Sequence, residues 1–171
     1  SRMAAAFGTM TASELSLLED HVVVLGYGDI TESFIDRVDR EDVVVVTTNA
    51  DAAARLSDAG IEVLTDDPTD ESALRDARVG AAAGVAVAGD DDATNVLAVL
   101  ATRNVAPEVR IVAMANEETH VEKLRAVGAD EIIDLRAVGG RLLGESILDV
   151  ENETSASAEP DERSTNGEEK E

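Results

Sequence analysis

Two glycines that follow an apolar run are the residues of this chain most able to do chemistry. The run His21–Leu25 ends in Gly26-Tyr27-Gly28, and a helix-compatible segment follows. A buried strand that turns through glycines into a helix brings backbone N–H groups close to an anion, and the helix start adds partial positive charge. The pattern predicts a phosphate-binding turn, with Thr31 standing where the third glycine of G-x-G-x-x-G is expected.

The backbone of this turn supplies the hydrogen-bond donors of the candidate site. Gly26 and Gly28 place N–H groups beneath a diphosphate. The helix start adds the N–H groups of Asp29 and Ile30, and the hydroxyl of Thr31 can itself donate to phosphate. The alternative is a tight strand–helix turn that binds no ligand. The candidate residues of the turn are Gly26, Tyr27, Gly28, Asp29, Ile30 and Thr31.

A second group of candidates follows the next apolar run. In NAD-binding domains an acid about 20 residues after the glycines accepts from the ribose hydroxyls. Here that place holds Thr47, Thr48 and Asn49, and Asp51 falls inside the expected helix. Because Thr48 and Asn49 can hydrogen-bond a ribose, NAD(H), AMP, ADP and ATP all remain candidate ligands. Arg55 either meets a 2′-phosphate or lies exposed on its helix.

The composition excludes several functional classes. The net charge is −23 from 37 acids and 14 bases, so no general basic patch is available for nucleic acid or an anionic membrane. The chain body stays acidic when the acidic segment 151–171 is set aside, and lysine is scarce beside arginine, which is typical of halophilic proteins. The absence of cysteine excludes disulfides and thiolate chemistry.

His21 and His120 have no metal-ligand companions at helical spacing, so we interpret both as structural or solvated.

Nothing in the pattern supports catalysis. No Ser/His/Asp or Cys/His arrangement can be assigned, and hydride transfer needs a substrate domain beside the nicotinamide. No apolar segment approaches the roughly 18 residues of a membrane span, and no signal peptide is recognisable, so we expect a soluble, cytoplasmic, non-enzymatic protein.

Apolar runs and helical patterns alternate along the chain. Several runs are continuous valine or isoleucine, as in strands covered on both faces. Strict alternation predicts a Rossmann-like α/β fold, a doubly wound parallel six-stranded sheet in the order 3-2-1-4-5-6. Strands are predicted at 21–26, 43–48, 61–64, 84–88, 109–114 and 131–134, and helices near 29–38, 50–59, 70–77, 91–104, 117–127 and 137–149.

The same pattern predicts the domain organisation. Residues 1–20 form a linker with a short helix, opened by a capping box at Thr11–Glu14 and continuing to about Leu18. Residues 21–150 form one nucleotide-binding domain that ends in a long helix, and the polar residues 151–171 form a disordered acidic tail. Ala88, Gly89 and Asp90 end the fourth strand beside the switch point of the sheet, where small residues leave room for a nucleotide.

The chain from about His21 to Leu148 resembles an RCK domain (regulator of potassium conductance), also called the TrkA N-terminal type. The resemblance is carried by the glycine turn and by four further segments. Together they cover most of the predicted domain, and the block around Gly128-Ala129-Asp130 is more specific than the glycines. These segments are Asp67–Asp70, Gly89–Asn95, Leu124–Ile133 and Gly140–Leu143.

The resemblance implies a regulatory, ligand-sensing domain that controls potassium flux at the inner face of the cell membrane. Such domains pair as homodimers and in channels assemble into rings of eight, so the implied partner is a channel pore or the membrane subunit of a transporter. The stretch Arg2–Leu18 then corresponds to a linker from a pore helix, unless the chain is a free-standing subunit. The final helix is the implied dimerisation element, with an apolar stripe at Leu142, Leu143, Ile147 and Val150.

The resemblance also bears on the ligand. Asp67, Pro68 and Thr69 resemble the loop that frames adenine in nucleotide-binding relatives, although Asp-Pro-Thr-Asp is also an ordinary turn and N-cap. Calcium-gated relatives carry carboxylates at positions matching Ala88, Met114 and Asn116, and none of these is an acid here. We therefore expect no calcium at that site. The triplet Asp90–Asp92 either binds a cation or opens an acidic helix.

Two alternatives to the regulatory domain remain open. One is the nucleotide-binding half of an NAD(P)-dependent oxidoreductase. The other is an assembly module that binds no ligand, in which the incomplete glycine motif is a relic.

Overall fold

The computed structural model describes residue 10, residues 12–38 and residues 42–156. Six strands alternate with helices along this part of the chain. The strands are β1 Val22–Leu25, β2 Val43–Thr47, β3 Glu62–Thr65, β4 Gly84–Val87, β5 Ile111–Ala115 and β6 Glu131–Asp134. The helices are α1 Ala12–Leu15, α2 Thr31–Ile35, α3 Ala50–Asp58, α4 Glu71–Asp76, α5 Asp92–Val105, α6 Val121–Ala126 and α7 Leu135–Ala156.

All six strands join one sheet in the order β3-β2-β1-β4-β5-β6, and every neighbouring pair is parallel. This confirms the predicted Rossmann-like topology. The central strand β1 pairs with both β2 and β4, so that Leu25 lies beside Val46 on one side and Val87 on the other. The carboxyl ends of these three strands therefore meet at one edge of the sheet, directly before the glycine turn.

Alternate side chains of the sheet enter two separate cores, one on each face. Val23 and Leu25 of β1 pack into the larger core, whereas Val24 packs into the smaller one beneath α3. Both cores consist of aliphatic residues, because a parallel sheet is covered on both faces and this chain has almost no aromatic residues. His21 is buried at the start of β1, where its Nε2 lies 2.8 Å from the carbonyl oxygen of Ala77, which confirms the structural interpretation of this histidine.

Several boundaries differ from the sequence prediction. The first helix ends at Leu15 rather than Leu18, and Thr11 of the expected capping box lies outside the described residues. Helix α2 is confined to Thr31–Ile35, because residues 26–30 are used by the glycine turn. The segment before α6 begins as a 3-10 turn at Glu118–His120.

The chain divides after Arg136 into two compact units, and the second contains α7 from Ala137 onwards. This helix begins two residues before the predicted start and continues through Ala156, so the first residues of the expected tail, 151–156, are helical. Residues 157–171 of that tail lie outside the described part. Leu142, Leu143 and Ile147 of the apolar stripe are each more than half exposed. Among the described residues, no helix has the length and hydropathy needed to cross a membrane.

Candidate functional site

An open cleft of about 420 Å³ lies at the carboxyl ends of β1, β2 and β4. This is the edge at which ligands bind in doubly wound sheets. Seven of the predicted site residues line it: Gly26, Tyr27, Thr48, Asn49, Asp67, Gly89 and Asp90. Pro68 of the loop that resembles an adenine frame also lines it. The lining residues that were not predicted to contact a nucleotide are Leu25, Thr47, Asp91, Thr94, Asn95 and Ala98.

Two structural constraints require glycine at position 26. Its φ of +85° lies in the left-handed region that L side chains rarely adopt. A Cβ on Gly26 would also lie 2.9 Å from the Cα of Gly89, closer than real side chains approach. The turns after β1 and β4 therefore contact each other backbone to backbone, and both glycines line the cleft.

Thr31 occupies the position of the third glycine and is fully buried. Its Oγ1 accepts from the N–H of Gly28 at 2.8 Å and lies 3.5 Å from the carbonyl oxygen of Ala88. The hydroxyl therefore braces the glycine turn against the end of β4 in this structure. Thr31 is not among the residues that line the cleft, and donation from its hydroxyl to a phosphate stays a prediction.

A carboxylate lies over the second glycine of the turn. The backbone N–H of Asp29 donates to Oδ1 of Asp90 at 3.2 Å. A Cβ on Gly28 would overlap this oxygen and would lie 2.8 Å from the Cγ of Asp90. The N–H groups of Gly28 and Asp29, both expected to hold phosphate, thus have protein partners in this structure.

The residues after β2 have mixed roles. Oδ1 of Asn49 accepts from the N–H of Ala52 at 3.0 Å and caps α3, which leaves the Nδ2 donors of Asn49 to meet a ligand hydroxyl. Thr47 accepts from the Asn49 N–H through its own hydroxyl at 3.1 Å. Thr48 is exposed at the cleft. The arrangement fits ribose recognition by an amide and a hydroxyl in place of the usual acid.

The Asp67–Asp70 segment forms the turn and N-cap that the sequence also allowed. Oδ1 of Asp67 accepts both from the backbone N–H of Thr69, at 2.8 Å, and from its hydroxyl, at 2.7 Å. Asp70 caps α4 by accepting from the N–H of Ser72. Asp67 and Pro68 line the cleft. Thr69 does not line it, because its N–H and hydroxyl both donate to Asp67 within the turn.

The three consecutive aspartates make three different contacts. Asp90 accepts from the glycine turn, as described, and Asp91 caps α5 by accepting from Ala93 N–H and the Thr94 hydroxyl. The hydrogen bond from Thr94, followed by that from Ala93, holds the pKa of Asp91 below its usual range. The described residues contain no cluster of three or more His, Cys, Asp or Glu arranged to hold a metal. The interpretation of the triplet as an acidic helix start therefore fits these contacts.

Asp92 is buried and organises the loop after β5. It accepts from the backbone N–H of Asn116 at 2.9 Å, from that of Glu117 at 3.0 Å and from Nδ1 of His120 at 2.7 Å. Burial by itself raises the pKa of Asp92, but the donors from Asn116, His120 and Glu117 outweigh it and hold the pKa below its usual value. A second open cleft of about 510 Å³ lies against this loop and the start of α5.

Tyr27 is held from outside the cleft. Its hydroxyl donates to Oε1 of Glu32 at 2.5 Å and accepts from Nη2 of Arg55 at 3.2 Å. The hydrogen bond to Tyr27 is the main cause that raises the pKa of Arg55. Arg55 lies exposed on its helix, which is one of the two sequence interpretations, and its guanidinium also contacts Tyr27 of the glycine turn.

A profile of the TrkA-N domain matches residues 22–135, which cover all six strands. The chain belongs to the TrkA-N family. This confirms the resemblance to RCK and TrkA N-terminal domains that the sequence segments indicated. The match ends at the start of α7, so it covers the whole sheet and both of the segments that meet at the cleft.

Two curated relatives have names that concern potassium transport. Potassium channel protein 1 of Methanocaldococcus jannaschii is 26% identical over 127 residues, which are 72% of this chain and 38% of that protein. A protein of Alkalimonas amylolytica, provisionally named K(+) efflux antiporter KefB, is 27% identical over 135 residues, 77% of this chain and 20% of that protein. The TrkA-N chain thus spans only about a fifth to two fifths of these relatives.

Solved structures of the GsuK channel share the fold. The GsuK RCK domain superposes with a TM-score of 0.69 at 30% identity. The match covers 84% of this chain and 31% of the GsuK RCK chain. The GsuK channel bound to NAD is 32% identical, and the match covers 74% of this chain and 23% of the channel chain, with a TM-score of 0.67. GsuK bound to ADP is also 32% identical, and the match covers 74% of this chain and 34% of the GsuK chain, with a TM-score of 0.66.

Proposed function

We propose that this TrkA-N domain is a regulatory domain of a potassium channel or potassium uptake system, and that its cleft binds NAD(H) or an adenine nucleotide. The observation that carries the proposal is the cleft itself, built where the Gly26 turn touches Gly89 at the edge of the sheet. Its support is that GsuK, with the same fold and 32% identity, has been solved with NAD and with ADP. The relatives are named for transport, which favours a non-enzymatic role.

In this proposal the ligand acts by shifting a conformational equilibrium. Two copies of the domain pair through the exposed apolar residues of α7, Leu142, Leu143 and Ile147, and pairs assemble further into a ring of eight at the inner, cytoplasmic face of the membrane. A nucleotide in the cleft favours one hinge angle of the pair. The bias on the membrane partner is no larger than the difference in ligand affinity between the two states.

One observation favours the ligand-free assembly module as the second candidate. The N–H groups of Gly28 and Asp29 are already bound by Thr31 and Asp90, so the turn is complete without an anion. An assembly module needs the Gly26–Gly89 contact for packing alone. The two candidates therefore differ only in whether a nucleotide stabilises the folded domain.

The test is a thermal-shift panel in multimolar KCl with NAD⁺, NADH, AMP, ADP, ATP and Ca²⁺. A ligand at about 100 times its dissociation constant stabilises the fold by about 2.7 kcal/mol, which is a clear rise in melting temperature. Gly28→Asp places a second carboxylate over the turn and should abolish the rise. Thr48→Trp occludes the cleft from an exposed position and should reduce it without disturbing the core.

Gly80→Asp is the matched control, because a side chain at Gly80 meets no atom within 4 Å and lies outside the cleft. Its melting temperature should rise with nucleotide as in the unmodified protein. If no nucleotide raises the melting temperature of the unmodified protein, the proposed sensor function is wrong and the domain is the ligand-free assembly module. A rise that persists in both Gly28→Asp and Thr48→Trp would mean that the ligand binds elsewhere and would overturn the assignment of this cleft.

A further inference from the structure

We propose that Asp90 determines which ligands the cleft accepts, by selecting against highly charged phosphates. Its carboxylate lies where the phosphate of a ligand must lie to reach the glycine turn. The inference rests on the proposed nucleotide function and goes beyond it by naming the preferred class, an esterified diphosphate such as that of a dinucleotide, over nucleoside di- and triphosphates.

The geometry of the turn supports this assignment. Oδ1 of Asp90 accepts from the Asp29 N–H, and the same carboxylate lies so close over Gly28 that a Cβ there would overlap it. The neighbouring N–H, that of Gly28, is bound to Thr31. A phosphate oxygen can gain the Asp29 N–H only by displacing the Asp90 carboxylate. Asp90 is exposed, so the side chain can rotate towards water and acts as a competitor rather than as a fixed block.

The charge of the surroundings makes this competition depend on the ligand. Asp67, Asp90 and Asp91 line the cleft, and none of the described lining residues is lysine or arginine. A unit charge about 4 Å from a carboxylate in water raises the dissociation constant about fivefold. Each phosphate of a dinucleotide is an ester on one side and shares an anhydride oxygen on the other, so it carries one negative charge, whereas a terminal phosphate carries nearly two. The penalty therefore grows from NAD⁺ to ADP to ATP.

The variant Asp90→Asn isolates the charge. Asparagine keeps the oxygen that accepts from Asp29 and nearly the same volume, and it removes only the negative charge. Binding is measured by isothermal titration calorimetry with adenosine, NAD⁺, ADP and ATP, in the full chain at high and at moderate KCl. Asp58→Asn is the matched control, since it makes the same change of charge at an exposed position outside the cleft.

We expect Asp90→Asn to tighten NAD⁺ binding by up to about fivefold, ADP binding by more than that and ATP binding most of all. Adenosine binding should not change, because adenosine has no phosphate. Lower salt should weaken ATP binding to the unmodified protein more than to Asp90→Asn, because salt screens the repulsion. Asp58→Asn should match the unmodified protein with every ligand.

The outcomes separate this inference from the proposed function. Equal nucleotide affinities in the unmodified protein and Asp90→Asn would overturn the role of Asp90 while nucleotide binding stands. Weaker binding in Asp90→Asn would also overturn it, because Asp90 would then be a direct ligand contact. Failure of every nucleotide to bind either protein would overturn both the proposed function and the role of Asp90.

Discussion

Asn95 hydrogen-bonds both backbone groups of Gly89. Its Oδ1 accepts from the Gly89 N–H at 3.1 Å, and its Nδ2 donates to the Gly89 carbonyl oxygen at 2.8 Å. Asn95 is 1% exposed, and Nδ2 also lies 3.4 Å from the carbonyl oxygen of Met114. One side chain of α5 thus holds the loop after β4 in the position in which Gly89 touches Gly26.

Replacing Asn95 should therefore destabilise the fold. Asn95→Ala leaves the buried N–H of Gly89 without its partner, and a buried polar group in that state costs about 1–3 kcal/mol. The free energy of unfolding, measured by urea titration at constant high KCl, should fall by that amount. Asn104→Ala on the exposed face of the same helix is the control and should change little. Equal losses in the two variants would refute the role of Asn95.

The contact between Gly26 and Gly89 can be separated from the backbone requirement of Gly26. Gly26 and Gly60 have nearly equal φ values, +85° and +83°, but a Cβ at Gly60 meets no atom within 4 Å. Each Gly→Ala change should cost about 1–2 kcal/mol for the left-handed conformation. Gly26→Ala should cost at least about 1 kcal/mol more, because of overpacking against Gly89. Equal unfolding free energies would show that the turn can move away from Gly89.

The buried carboxylate of Asp92 predicts a pH dependence of stability. Because its pKa is lowered in the folded protein, its contribution is fully present above the ordinary aspartate pKa of about 3.9 and is lost as pH falls through the lowered value. Asp92→Asn should cost about 1.5–3 kcal/mol at pH 7, since several donors lose a charged acceptor. The difference in unfolding free energy between Asp92→Asn and the unmodified protein should be constant down to about pH 5 and should shrink as the pH falls further, through about 3.9 towards the lowered pKa.

Urea titrations across that range test this prediction, with Asp58→Asn as the control for an exposed aspartate. The free energy of unfolding of Asp58→Asn should stay close to that of the unmodified protein at every pH. A difference for Asp92→Asn that does not depend on pH would mean that the carboxylate contributes packing but no charge.

The net charge of −23 predicts that the fold depends on salt. Acidic side chains cover a protein with few bases, and their repulsion is screened only when the Debye length falls to about 3 Å near 1 M salt. Melting temperature should therefore fall steadily as KCl is lowered from multimolar to about 0.1 M. A melting temperature that does not change with KCl concentration would refute the interpretation of the acidic composition as halophilic.

The exposed stripe of α7 predicts an effect on assembly. Leu143 is 68% exposed, and Leu143→Glu puts a charge into the proposed contact between copies. Light scattering after size-exclusion chromatography in high KCl should show a dimer for the unmodified protein and a monomer for this variant. Leu17→Glu is the matched control, since Leu17 is 78% exposed and lies in the other unit of the chain. A dimer in both variants would exclude α7 as the contact.

The order of the sheet could be predicted because each of its causes is local. The valine run of β2 is buried at every position, and such runs are typical only of strands covered on both faces. Alternation with helices requires parallel pairing, and the Gly26 turn after the first strand indicates where the sheet is doubly wound. Helix ends were less well predicted, because the extent of α2 depends on how many residues the turn uses.

The candidate site was predicted only in outline. The glycines, Thr48, Asn49 and Asp67 follow strands or turns that the pattern located, and all line the cleft except Gly28. Asn95 was missed because a polar residue inside a helical pattern looks like part of the solvated face. Its burial depends on the loop after β4, which bends over the start of α5.

By itself, the sequence determined the sheet, its order, the edge at which a ligand would bind and the acidic character of the surface. Only the tertiary structure decided which groups occupy that edge. Asp90 lies at the N–H of Asp29, 61 positions away, and Thr31 turns its hydroxyl to Ala88, 57 positions away. These contacts depend on the register of β1 against β4 and on side-chain direction at the strand ends, and no local spacing of residues encodes either.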